Sequence, residues 1–135
     1  MKEKTIAGLA KAAGVGVETV RYYQRRGLMN EPPRSGGTGL TGGIRRYGAE
    51  DLRRLRFIRS AQAAGFTLDQ IAELIALDST HDRTRALELA GERIAALDRK
   101  IDELVRARAA LQHLAHECRS GGAGPCPIIA AFDEP

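Results

Sequence analysis

"TIAGLAKAAGVGVETVRYYQRRGLM", residues 5 to 29, holds two short helical patterns separated by Gly14, Val15 and Gly16. Thr5 is a helix-capping residue type, and Ile6, Leu9, Ala10 and Ala13 recur at the three- and four-residue steps that share one helical face. Val17 and Val20 anchor a second helix that ends at Gly27. Two short helices joined by a glycine-bearing turn make a helix-turn-helix pattern. The second helix carries Thr19, Arg21, Tyr22, Tyr23, Gln24, Arg25 and Arg26, a set suited to phosphate oxygens and guanine edges. Not all of them can face DNA. Val20 must point inward, which makes Tyr23, three residues on, the stronger core candidate, although either tyrosine can serve contact or packing.

Downstream, "EPPRSGGTGLTGGIRRYGAED" is too rich in proline and glycine for a long helix. Its "GIRRY" segment, residues 43 to 47, reads as one strand of a hairpin whose tip is the glycine-rich loop. A basic hairpin beside a recognition helix acts as a wing, with Arg45 and Arg46 as candidate phosphate contacts; a solvated loop is the plainer alternative. Residues 49 to 64 form a helical pattern with Leu52, Leu55, Phe57, Ile58 and Ala61 on the apolar side and arginines 53, 54, 56 and 59 in water. Thr67 and Gln70 then make a capping-box pattern that starts another helix, with Leu68, Ile71, Leu74 and Ile75 inward.

From Asp82 to about His116 only Gly91 interrupts a long helical run. Leu87, Ala90, Ile94, Leu97, Ile101, Leu104, Leu111 and Ala115 follow alternating three- and four-residue steps, with Arg108 at the expected position between Leu104 and Leu111. A helix of that length is ~50 Å long. The rest of a 135-residue chain is too small to cover its stripe, so a second copy is the expected cover. Periodicity alone leaves parallel pairing, antiparallel pairing and a single-chain bundle open. A two-fold dimer of such chains predicts a palindromic operator.

Composition agrees with this division. Residues 1 to 62 hold thirteen Lys or Arg against five Asp or Glu, while residues 63 to 135 hold eight against twelve, so the basic half is the nucleic-acid candidate. No segment resembles a signal peptide or an apolar span, and a cytoplasmic protein without a membrane partner is expected. The two cysteines, Cys118 and Cys126, sit in "ECRSGGAGPCPII", residues 117 to 129. A cytosolic thiol pair is weak grounds for a structural disulfide, which leaves metal binding, redox sensing or plain burial.

The order of these motifs resembles the MerR family of transcription regulators, through "TIAGLAKAAGVGVETVRYYQRRGL", "GIRRYGAEDLRRLRFIRSAQAAGFTLDQIAELI", the long helix and "CPII". The resemblance implies a mainly α fold: a winged helix-turn-helix DNA-binding domain over residues 1 to 76, a linker and dimerisation helix over 77 to 117 that pairs as an antiparallel coiled coil, and an effector loop and tail over 118 to 135. It implies a homodimer on double-stranded promoter DNA, sharing that promoter with RNA polymerase, repressing without inducer and distorting the spacer when induced. By the same resemblance Arg21, Tyr22 and Arg46 are DNA contacts, and Arg54 is a backbone contact.

The family's metal sensors place their inducer loop at the positions of Cys118 and Cys126. Thiolates are soft ligands that suit thiophilic ions. The wider sequence is similar to the mercury regulators, but their third cysteine corresponds here to Asp82. That departure, with seven residues between the two cysteines, resembles the copper, silver and gold sensors, so Cu(I) or Ag(I) is the expected inducer, with Hg(II) or Zn(II) as alternatives. Asp82 can cap the long helix, the favoured reading, or add an oxygen ligand for a divalent ion. His81 reads as a residue behind the ligands or an exposed one, while His113 and His116 can assist a borderline metal such as Zn(II).

Enzymatic activity is not expected, because no third residue orients a Cys118–histidine pair and no cleft is implied. A thiol redox regulator, closing a Cys118–Cys126 disulfide, is a stronger competitor. A structural adaptor leaves the basic helix and hairpin without a role.

Overall fold

The computed structural model describes residues 3–35 and 44–133. Helix α1 spans Ile6–Ala13, and Thr5 Oγ1 accepts the Gly8 N–H at 3.2 Å. Gly14 ends it at φ 71°, a left-handed conformation that costs glycine little. The chain reverses there and enters α2, Val17–Arg25. Leu9 of α1 and Val20 and Tyr23 of α2 are buried in a common core with Leu28 and Met29, which follow α2.

Two further helices close that core. α3, Ala49–Ala63, contributes Leu52, Leu55, Ile58 and Ala61, and α4, Leu68–Asp78, contributes Ile71. The Tyr23 hydroxyl donates to Gln62 Oε1 and so ties α2 to α3. The capping box of α4 is formed in both directions: Thr67 Oγ1 accepts the Gln70 N–H at 3.1 Å and Gln70 Oε1 accepts the Thr67 N–H at 2.9 Å. Phe57 departs from its expected place. It is 41% exposed, because Leu55 and Ile58 take the core-facing side of α3 and a residue between them projects away from it.

Between α2 and α3, strands β1, Arg34–Ser35, and β2, Ile44–Arg45, pair antiparallel with Arg34 opposite Arg45. The glycine-rich tip expected of this hairpin, residues 36 to 43, lies outside the described residues. Just after β2, Tyr47 exchanges two backbone hydrogen bonds of 2.8 Å with Lys4, which fastens the hairpin base to the start of the chain.

Helix α5 runs Arg83–Ser120 and a short α6 covers Pro127–Asp133. Two compact units are present, Met1–Leu89 and Ala90–Pro135. At the start of α5, Asp82 Oδ1 accepts the Thr84 and Arg85 N–H groups at 3.1 and 3.4 Å, so the carboxylate caps the helix. Arg85 Nε donates to Glu73 Oε1 at 2.5 Å and Arg85 Nη1 to Glu88 Oε2 at 3.2 Å, joining α4 to the first turns of α5. The apolar stripe is bare: Leu87, Ile94, Leu97, Ile101, Leu104 and Leu111 are 39 to 71% exposed. The fold is thus a mainly α-helical helix-turn-helix with a long C-terminal helix. Among the described residues no helix is long and apolar enough to cross a membrane.

Candidate functional site

One groove, about 590 Å³, opens between the start of α1, helix α2 and the β1–β2 ladder, and is lined by Arg21, Gln24, Arg25, Arg34, Arg45 and Tyr47 among others. The ladder makes it basic, since pairing Arg34 with Arg45 brings two guanidinium groups opposite those of α2. Glu31 tempers this charge by accepting from Arg45 Nη2 at 3.2 Å, and Glu18 accepts from Arg21 Nη1 at 2.9 Å. Both pairs are surface pairs of little intrinsic strength, which competing phosphates can exchange. Gln24 Nε2 donates to the Tyr47 hydroxyl at 2.9 Å and to the Asn30 carbonyl at 3.2 Å, holding α2 to the hairpin base.

The other residues expected at this face are distributed around it. Tyr22 is 40% exposed and accepts from Arg26 Nη1 at 3.0 Å; Arg25 and Arg26 each hold a guanidinium carbon 5.9 Å from its ring centroid. Arg26 in turn reaches Asp69 Oδ1 of α4 at 3.2 Å. Arg46 is exposed beside the ladder. Arg54 donates to the Leu28 carbonyl at 3.3 Å, bracing the segment after α2, and lines a separate cavity with Phe57, His81 and Asp82. Reasoning from sequence had not singled out Arg34; its place opposite Arg45 depends on the hairpin register, which strand pairing decides.

His81 adopts φ 56° immediately before the Asp82 cap, a conformation more common for histidine than for most residues. It is exposed, as is Asp82.

In the second unit, α5 carries Cys118 in its last turn, and Cys126 directly precedes α6. The intervening chain turns at Gly124, φ 142°, a backbone conformation open to glycine. The result brings Cys118 Sγ within 3.1 Å of Cys126 Sγ, both as free thiols. The hydrogen bond to Cys126 pushes the Cys118 thiol above its ordinary pKa. The same bond, with the backbone N–H groups of Ile129 and Ile128, holds Cys126 below its own. Of the two sulfurs, Cys126 is thus the one more readily ionised.

This donor set fits a thiophilic ion, for which the more readily ionised Cys126 would be a soft sulfur ligand. Cys118 and Cys126 would be the residues to hold such an ion, supplying two soft sulfur ligands. Among the described residues no three His, Cys, Asp or Glu side chains of the chain converge. His113 is engaged with Glu117 at 3.0 Å.

The model of the MerR HTH family regulatory protein matches residues 4–77, and a second model, MerR, DNA binding, matches residues 52–114. The chain belongs to the MerR family. MerR-family chains of this kind are DNA-binding regulators and not enzymes. The chain is 42% identical over 133 residues to a mercuric resistance operon regulatory protein of Serratia marcescens, covering 98% of this chain and 89% of that protein. Among solved structures, the lead(II) complex of the transcription regulator PbrR691 from Ralstonia metallidurans CH34 superposes with a TM-score of 0.68 at 32% identity, covering 96% of this chain and 98% of that one. HiNmlR, a MerR family regulator bound to promoter DNA, shares the fold with a TM-score of 0.63 at 24% identity, covering 85% of each chain.

These relatives correct the expectation of a Cu(I) or Ag(I) inducer. It rested on the loop length and on Asp82 standing where mercury regulators have cysteine. The likeness to mercuric resistance regulators runs instead through nearly the whole chain. Two soft thiolates suit monovalent and divalent thiophilic ions alike, so the spacing across a glycine-rich loop discriminates poorly between them.

Proposed function

We propose that this chain is a homodimeric, metal-responsive transcription regulator whose inducer is a divalent thiophilic ion, Hg(II) foremost, held by Cys118 and Cys126. The observation that carries the reading is the converged thiol pair, 3.1 Å apart, in a chain 42% identical to mercuric resistance operon regulatory proteins. The lead(II) complex of a relative at 32% identity supports a divalent ion. In this reading residues 1 to 76 bind DNA, 77 to 117 dimerise as a coiled coil and 118 to 135 sense the metal. α2 enters the major groove with Arg21 and Tyr22, and the β1–β2 wing sets Arg45 and Arg46 against phosphates. Arg54 acts from α3 on the DNA backbone directly or through the segment it braces. His81 and Asp82 of the partner subunit stand as candidates near the ion, Asp82 through Oδ2, since its cap uses Oδ1.

Two such faces related by a two-fold axis read a palindromic promoter spacer, and metal shifts the dimer between two geometries so that the DNA is repressed or distorted for RNA polymerase. The test selects the duplex first, by enriching palindromes from a random pool with the full chain. In vitro transcription from that promoter is then followed with Hg(II), Pb(II), Zn(II) and Cu(I). The expected result is activation by Hg(II) at the lowest concentration, abolished by Cys126→Ser. Activation by Cu(I) below the Hg(II) threshold, or by peroxide in metal-free protein, overturns the reading.

A further inference from the structure

Asp69 and Glu73 stand four residues apart on α4, a spacing that puts both carboxylates on one face of the helix. Each holds an arginine of another part of the chain. Glu73 receives Arg85 of α5 side-on, with Nε on Oε1 at 2.5 Å and Nη2 on Oε2 at 3.3 Å. Asp69 Oδ1 receives Arg26 Nη2 at 3.2 Å, just past the end of α2, and the same guanidinium donates through Nη1 to the Tyr22 hydroxyl. A continuous run of contacts therefore leads from the first turn of α5, through α4, to Tyr22 on α2.

The two links differ in kind. Arg26 to Asp69 is a single exposed contact that contributes little by itself. Arg85 to Glu73 is a planar fork on a carboxylate, which fixes direction as well as distance, and Nη1 of the same guanidinium is held by Glu88 at 3.2 Å. The hydrogen bonds from Arg85 hold the Glu73 carboxyl below its ordinary pKa, so both partners stay charged at neutral pH.

The connection between α4 and α5 has little slack of its own. Ser79 Oγ and Thr80 Oγ1 donate to the Ala76 and Leu77 carbonyls at 3.0 and 2.8 Å, and Thr80 Oγ1 accepts the Asp82 N–H at 3.3 Å. His81 turns the backbone at φ 56°, and Asp82 caps α5. The corner is thus tied through successive residues, and the Arg85–Glu73 fork closes it between side chains.

We propose that Glu73 and Arg85 are positioning residues for regulation: their fork makes α4 and the start of α5 move as one, so that a rearrangement of α5 on metal binding reaches Arg26 and Tyr22. In this role neither residue touches DNA or the ion. The inference rests on the metal-responsive regulator of the proposed function and concerns how its response is transmitted.

The test is in vitro transcription from the selected duplex, with and without Hg(II), at protein concentrations that saturate the promoter. Glu73→Gln and Arg85→Glu are each expected to lower the ratio of induced to uninduced transcription by about two- to thirtyfold, the range over which contacts on a coupling route act. Hg(II) stoichiometry and operator affinity are expected to stay within about twofold. Arg85→Glu places an acid in the first turn of α5, which a helix N-terminus favours, so its effect is not loss of the helix. The combined Glu73→Arg, Arg85→Glu chain re-forms the ion pair in the reverse sense and is expected to recover most of the lost response. A metal-free readout accompanies it: amide exchange across residues 79 to 88 should quicken in both single variants and slow again in the combined one. An unchanged ratio in the single variants, or a lost ratio that the combined chain does not recover, overturns the proposal. A loss confined to operator affinity also overturns it, because the pair then serves the DNA-binding fold alone. Failure of the unsubstituted chain to respond to Hg(II) removes the proposed function and this inference with it, whereas a normal response there beside unaltered variants removes the coupling role only.

Discussion

Tyr23 is 2% exposed, with its hydroxyl on Gln62, while the ring of its neighbour Tyr22 stands in water between two arginines. The one-residue offset of about 100° along α2 separates these roles. Tyr23→Phe leaves the Gln62 carbonyl oxygen without its donor and is expected to lower unfolding free energy by about 1 kcal/mol, whereas Tyr22→Phe stays within about 0.5 kcal/mol. Urea denaturation of the two variants measures both, and equal losses contradict the assignment. At the thiol site the two pKa shifts have opposite signs. Folding lowers the Cys126 pKa, so its contribution to stability is full above the ordinary thiol pKa and fades as pH falls through the lowered value. Folding raises that of Cys118, whose contribution is full below the ordinary pKa and fades as pH rises through the raised value. Alkylation at rising pH, followed by peptide mass mapping, should modify Cys126 first; simultaneous modification of both sulfurs contradicts the opposed shifts.

At the scale of elements, the turn between α1 and α2 depends on a residue that has no side chain. Gly14 holds φ 71°, and its N–H bonds back to the Lys11 carbonyl at 3.1 Å. A Cβ at that position meets no neighbour, so the penalty of Gly14→Ala is backbone strain alone, about 1 to 2 kcal/mol. Thermal unfolding measures the loss. If it is absent, the turn relaxes to another conformation. The α4 capping box gives a matching expectation: Thr67→Ala costs about 1 kcal/mol and frays the first turn, read as faster amide exchange at Gln70. The capping box and the helix-turn-helix were legible in the sequence because each is a local pattern of a few residues. The outward turn of Phe57 was not. Its hydrophobicity favoured the core, and only the packing of Leu55 and Ile58 decided which face of α3 turned inward.

At the scale of the whole molecule, the proposed DNA-contacting residues lie in the unit Met1–Leu89 and the thiol pair in the unit Ala90–Pro135, so the proposed activities should separate by mutation. Arg21→Ala is expected to weaken operator binding about tenfold, in the ~1–3 kcal/mol range of a base-reading arginine. Cys126→Ser should leave operator affinity within about twofold, the scale of a remote surface change, and abolish metal induction. Fluorescence anisotropy and in vitro transcription on the selected duplex read these outcomes. Joint loss of binding and induction in Cys126→Ser would make that cysteine a folding residue.

The sequence by itself determined the helix-turn-helix, the long helix with its uncovered stripe, the family, and the two cysteines as the sensing pair to test. Each is written in spacings of three to eight residues, over which backbone geometry is nearly independent of context. Tertiary structure decided that Arg34 joins Arg45 beside α2, that Tyr23 is core, that Asp82 caps α5, and that two thiols separated by seven residues meet. Strand register, the choice of buried face and the convergence of side chains across a turn depend on contacts between segments. Local periodicity carries no information about those contacts, and the packed chain supplies it.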